Sequence, residues 1–282
     1  MAHSQGILII IGGSVYLPKE SYNEINEENA LSESPDILNS FTEHLPGKTN
    51  RIEILPVASE KPQEIGDEYI KAFQQLGYNN AGILNIRDRA DAGNKAYLER
   101  IQQAEGVLFT GGNQLRLTSI LGGTKLTSIL FERYLNEPIV IAGTSAGAMA
   151  MSDTMIYGGS SQEALLKGEV HFSPGFGLLN NVIIDTHFVK RGRIGRLFQA
   201  VASNPASLGI GLGEDTGLLI KDGDIKESIG SGLVIIVDGH AIHHTNFADI
   251  AQGEPISIEN LSVHVMVPGD KFSLSERRFV RT

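Results

Sequence analysis

Short apolar runs rich in isoleucine and valine alternate, along the first half of the chain, with stretches whose apolar residues recur every three or four positions. The runs at residues 7–11, 52–57, 82–86, 106–110 and 138–143 predict strands, and 35–45, 63–76, 94–104 and 124–135 predict amphipathic helices between them. Such alternation predicts an α/β fold, a three-layer sandwich with a mainly parallel central sheet covered on both faces. Ligands on such sheets bind at the carboxyl ends of the strands. Gly12, Gly13, Ser59, Gly111, Gly112 and Ser145 all fall just past strand ends, so one crevice is expected to gather them. From about residue 217 the pattern changes to strands at 218–220, 232–237 and 263–267, joined by polar turns such as Asp222-Gly223 and Asp238-Gly239. The expectation is one domain over 1–282, with a core at 1–216 and an antiparallel C-terminal extension at 217–282.

The fifth predicted strand ends in Gly143-Thr144-Ser145-Ala146-Gly147, and small helix-forming residues follow at once. Strand, sharp turn and helix around G-x-S-x-G form a nucleophile elbow, in which the flanking glycines make room that Cβ atoms would fill. The turn is expected to lift the Ser145 hydroxyl above the first amides of the helix, which are unpaired donors suited to a developing oxyanion. The alternative is a Gly/Ala-rich turn chosen only for close packing. A second glycine-rich strand end, Phe109-Thr110-Gly111-Gly112-Asn113-Gln114, lacks the Gly-Lys-Ser/Thr of a P-loop. It fits better as the source of an oxyanion amide from Gly112 or Asn113, paired with that of Ala146.

A serine nucleophile needs a base, and the base needs an orienting group. Of eight histidines, His187 is the one that ends an apolar run, Val182-Ile183-Ile184-Asp185-Thr186-His187. For the orienting carboxylate, the run Gly209-Ile210-Gly211-Leu212-Gly213 delivers Glu214 and Asp215 at a strand end, and residue type alone does not choose between them. Arg191, Arg193 and Arg196 cluster where a helix opens. Cations oppose the helix dipole there, so three of them point to an anionic ligand rather than to a solvated helix start.

Composition narrows the setting. The 282 residues carry a formal net charge of −10 and no cysteine. An acidic surface disfavours nucleic acid and anionic membranes as partners. Without cysteine there are no disulfides, no thiolate catalysis and no thiolate-bound metal, and a reducing cytoplasm is the simplest compartment. No apolar run approaches the roughly 20 residues of a membrane span, and no signal peptide is evident. No H-E-x-x-H or acidic calcium loop occurs, so neither metal nor cofactor is expected. The segment 19–34 holds five glutamates against one lysine and follows the first strand, so it is expected to hang near the crevice as a loop.

Taken in order, these motifs resemble the cyanophycinase family, serine exopeptidases related to the aspartyl dipeptidases and to the class I glutamine amidotransferase fold. The matching residues are Gly12-Gly13, Ala58-Ser59, Arg87-Asp88-Arg89, Thr110 to Leu117, Ala142 to Ala148, Gly158 to Ser161, Asp185-x-His187, Arg191-x-Arg193-x-x-Arg196 and Glu214-Asp215-Thr216. The resemblance implies hydrolysis of cyanophycin, a polyaspartate with arginine on its β-carboxyls, to β-Asp-Arg dipeptides. It implies Ser145 as nucleophile, His187 as base and Glu214 as acid, with Gln114, Asp185, Thr186, Arg191, Arg193 and Arg196 lining the substrate pocket, and a homodimer. Two departures bear on the subsites. Thr186 stands where family members often carry glutamine, and Ser14-Val15-Tyr16 stands where Glu-Asp often follows the first Gly-Gly. The rival readings are an Asp-X dipeptidase on the same elbow and a non-catalytic binding protein that kept the fold. An α/β-hydrolase esterase expects its histidine last, whereas His187 precedes Glu214.

Overall fold

A computed structural model of the chain describes residues 4–13 and 36–281. The acidic segment 19–34 and the departure at 14–16 lie outside the described residues.

The first half alternates as its pattern requires: β1 (Ile7–Ile11), α1 (Asp36–Glu43), β2 (Ile52–Leu55), α2 (Pro62–Gln75), β3 (Ala81–Ile83), α3 (Lys95–Gln103), β4 (Gly106–Phe109), α4 (Gln114–Leu121), α5 (Lys125–Asn136) and β5 (Val140–Thr144). Local chemistry sets the starts. Pro62 opens α2, where a missing N–H costs nothing, and the Asn94 side chain caps α3 by accepting from the Ala96 amide at 2.9 Å. The rest follows as α6 (Ala146–Met149), β6 (Thr154–Gly159), β7 (Val170–Pro174), β8 (Val182–Thr186), α7 (Ile194–Ser203), β9 (Leu208–Leu212), β10 (Thr216–Lys221), β11 (Asp224–Gly230) and β12 (Val234–Asp238). Short strands β13 (His244–Thr245) and β14 (Ile258–Glu259) precede β15 (Ser262–Met266), β16 (Phe272–Ser273) and β17 (Arg278–Phe279).

The main sheet runs β17-β16-β11-β10-β1-β5-β4-β2-β3. Strands β1, β5, β4, β2 and β3 pair in parallel, and β10 joins β1 antiparallel. Successive β1 residues serve opposite faces. Leu8 and Ile10 pack into one apolar core with α3, α5 and α7, while Ile9 and Ile11 pack into another with α1 and α2. This is the layered α/β arrangement expected.

Three features depart from the expectation. The strands after 216 pair antiparallel, as expected, but on two sheets: β10, β11, β16 and β17 complete the main sheet, whereas β12 and β15 join β9 and β8 in a second sheet. The glycine-rich loop after β4 is short, because Asn113 starts α4 by accepting from the Arg116 amide. A β6–β7 hairpin, with a bulge between Ile156 and Gly158, was not legible. Its apolar positions are interrupted by glycine and serine.

Candidate active site

Ser145 sits between β5 and α6 with φ 51° and ψ −111°, a conformation that a residue with Cβ rarely takes. What holds it is close packing of the flanking glycines. A Cβ on Gly143 would lie 2.5 Å from the Gly147 carbonyl carbon, and one on Gly147 would lie 2.5 Å from the Phe109 oxygen. The Ser145 amide is tied to the Ile11 carbonyl at 2.9 Å, fastening the elbow to the end of β1.

His187 follows β8, in the second sheet, and its φ is also positive at 53°. Its amide bonds the Gly12 carbonyl at 3.2 Å, so β1 positions the histidine as well as the serine. Glu214 lies in the turn that carries the chain from β9 in the second sheet to β10 in the first. His187 Nε2 is 3.0 Å from Ser145 Oγ, and His187 Nδ1 is 2.7 Å from Glu214 Oε1. Three segments distant in sequence therefore make one line of nucleophile, imidazole and carboxylate. The structure puts Glu214, not Asp215, against the imidazole; Asp215 turns away to accept from Ser231 Oγ at 2.9 Å. Gly13, which the sequence marked only as a strand-end turn, abuts this pair. A Cβ there would stand 2.6 Å from His187 Nδ1 and 2.8 Å from Glu214 Oε2.

The glycine-rich loop closes on the other side. A Cβ on Gly111 would be 3.4 Å from Ser145 Cβ. Among the described residues the amides of Gly112 and Ala146 make no hydrogen bond, whereas that of Asn113 donates to the Ala58 carbonyl at 2.9 Å. Asn113 therefore gives way as an oxyanion donor and serves as the cap of α4. Beside the serine, Ser59, Lys61, Glu64, Ile65, Glu68 and Gly111 line a cleft of about 240 Å³.

The six residues expected at the substrate pocket are sorted by burial. The Arg191 side chain is exposed and makes no ion pair or hydrogen bond among the described residues. Arg193 is half-buried and donates through Nη1 to Asp185 Oδ1 at 3.0 Å and to the Thr186 carbonyl at 2.8 Å. Arg196, 4% exposed, brings Nε to 3.0 Å from Asp185 Oδ2, within ion-pair range but off line for a hydrogen bond. Asp185 and Thr186 are fully buried. Asp185 pairs with the two arginines, and the Thr186 hydroxyl lies 3.4 Å from Met149 Sδ beneath the elbow. Gln114 commits its Nε2 to the carbonyls of Ile156 and Tyr157, fixing the bulged strand β6 to the start of α4.

Burial pushes the Asp185 carboxyl above the usual carboxylate range, against the pull of Arg196 and Arg193. It also lowers Arg196 from its ordinary value, against the pull of Asp185. One carboxylate between two arginines leaves an excess positive charge where desolvation is costly. An incoming carboxylate would complement it.

Gln199, which sequence reasoning missed, is fully buried on α7 and organises the β6–β7 connection. It accepts from the amides of Gly168 and Val170 and donates to the carbonyls of Ala164 and Leu166. Its signal is a glutamine on the apolar face of a helix.

Comparison with known proteins bears on the fold and the family. A solved peptidase from an acI-B1 actinobacterium superposes with a TM-score of 0.63 at 23% identity, covering 95% of this chain and 98% of that one, a likeness of fold. Cyanophycinase from Geminocystis herdmanii is 37% identical over 238 residues, 84% of this chain and 88% of that protein. Cyanophycinase from Trichormus variabilis is 38% identical over 242 residues, covering 86% and 81%. The model of peptidase family S51 matches residues 21–228, a span that takes in Ser145, His187 and Glu214. A serine elbow, the imidazole and carboxylate aligned behind it, and a family match that encloses all three place this chain in peptidase family S51.

Proposed function

We propose that this chain is a serine exopeptidase that hydrolyses the polyaspartate backbone of cyanophycin and releases β-Asp-Arg. The observation that carries the reading is the line from Ser145 Oγ through His187 to Glu214, at 3.0 and 2.7 Å, in a chain similar to cyanophycinases over most of its length. Ser145 Oγ attacks the scissile carbonyl while His187 Nε2 takes its proton. Glu214 holds the Nδ1 proton and favours the imidazolium that forms. The amides of Gly112 and Ala146 receive the oxyanion. His187 then returns the proton to the leaving amine, and water hydrolyses the acyl-enzyme by the same route. Arg191, with the accessible part of Arg193, takes a substrate carboxylate. Asp185 aims Arg193, with the buried Arg196 behind it.

Purified protein without added metal is expected to clear a suspension of cyanophycin granules and release β-Asp-Arg as the main product. Casein, simple nitrophenyl esters and free β-Asp-Arg should be left almost untouched, the dipeptide because no Asp–Asp bond remains. Fast cleavage of Asp-X dipeptides with no release from the polymer would move the assignment to a dipeptidase. The lack of cysteine favours a cytoplasmic setting, and no described helix is long and apolar enough to cross a membrane. The homodimer rests on the family resemblance, and sedimentation equilibrium tests it.

A further inference from the structure

Glu214 is held by little of its own. Oε1 meets His187, while Oε2 is buried and has no hydrogen-bond partner among the described residues. No second side chain among them locks the carboxylate, so the backbone turn that carries it sets its aim.

That turn is fastened at four points. The Thr216 hydroxyl donates to the Glu214 carbonyl at 2.7 Å. The Asp215 amide donates to the Gly13 carbonyl at 3.0 Å, and the Gly213 amide to the Leu233 carbonyl at 3.1 Å. The fourth anchor runs through the carbonyl and side chain of Asp215. Its carbonyl accepts from the Ser231 amide at 2.8 Å, and its Oδ2 accepts from Ser231 Oγ at 2.9 Å. Asp215 is 4% exposed and has a φ of 44°. Glycine would meet that backbone angle without strain, and asparagine tolerates it as well as aspartate does. A buried carboxylate is the costlier choice, and Ser231 receives the benefit as a charge-assisted bond.

We infer that Asp215, clamped by Ser231 in the turn after β11, is a positioning residue that aims Glu214 at His187. The C-terminal strands thereby take part in catalysis without touching substrate. This rests on the triad reading above. Loosening the clamp lets Glu214 drift from the imidazole, so the rate of the chemical step falls while substrate binding is kept.

The test uses Asp215→Gly, Asp215→Asn and Ser231→Ala in the full chain, assayed on the polymer, with circular dichroism to verify folding. Asp215→Gly is expected to lower kcat about ten-fold with KM within about two-fold. Ser231→Ala should lower kcat in the same way, by about three-fold, with KM kept. Asp215→Asn, which can still accept from Ser231, should keep at least about half the wild-type kcat. Wild-type kcat in Ser231→Ala and Asp215→Gly would overturn the inference. So would a rate loss that Asp215→Asn shares in full, or a loss confined to KM. If Asp215→Gly does not fold, Ser231→Ala decides alone. A wild-type rate in Ser145→Ala or His187→Ala would sink the triad reading instead.

Discussion

Ser145, His187 and Asp215 hold φ values of 51°, 53° and 44° around one site. Conformations of this kind cost on the order of 1–3 kcal/mol each and persist only where packing over-determines them. Here close packing of glycines holds them, and Gly13 is the point at which the His187 and Glu214 side chains crowd the backbone. Gly13→Ala should therefore lower kcat by about 10²-fold, because its Cβ must displace His187 or Glu214. Steady-state kinetics on the polymer would show this as a change in kcat with far less change in KM. Ser145→Ala and His187→Ala should each reduce kcat by about 10³-fold or more, and Glu214→Gln by less, since it orients the base without touching substrate. Ser145 and His187 were legible because each follows an apolar run, whereas the choice of Glu214 over Asp215 came only from the family resemblance. Asp185 and Thr186 were not legible as buried, because a sequence position near a strand end does not say which way the side chain points. Asn113 was ambiguous for another reason: an asparagine at a strand–helix junction serves equally as a cap or an amide donor, and only the Ala58 contact decides.

At the scale of elements, the arginines before and within α7 divide the work that the sequence assigned to them jointly. Arg191, exposed, should act on binding. Arg191→Ala is expected to raise KM by roughly ten- to a hundred-fold, about 1.5–3 kcal/mol, with urea denaturation unchanged. Arg196, buried against Asp185, should act on stability. Arg196→Met leaves Asp185 with Arg193 alone, and a loss of about 3–5 kcal/mol in urea denaturation is the expected result. Equal effects of the two substitutions on stability would contradict the division. The helices α2, α3 and α5 were readable from periodicity and caps. α4 was hidden because two glycines and a polar pair precede its apolar face, and the β6–β7 hairpin because its order depends on Gln199 and Gln114, partners far away in sequence.

Across the whole molecule, a formal charge of −10 meets a polymer studded with guanidinium groups. Electrostatic attraction should speed encounter, so kcat/KM on cyanophycin is expected to fall several-fold between low and high ionic strength. A kcat/KM independent of salt would leave the acidic surface without a part in capture. The parallel half of the main sheet followed from strand–helix alternation, whereas the second sheet did not, since β8 and β9 read like two more strands of the first. That division gives the site an unusual dependence. Ser145 rides on the first sheet and His187 on the second, with Glu214 on the chain that passes between them. Turnover thus gauges how the two sheets are docked, and a slip too small to melt either one would silence the enzyme. In rising urea, peptidase activity should vanish at a lower concentration than far-ultraviolet circular dichroism, and a phosphonate bound covalently to Ser145 should protect only the state in which the sheets remain docked.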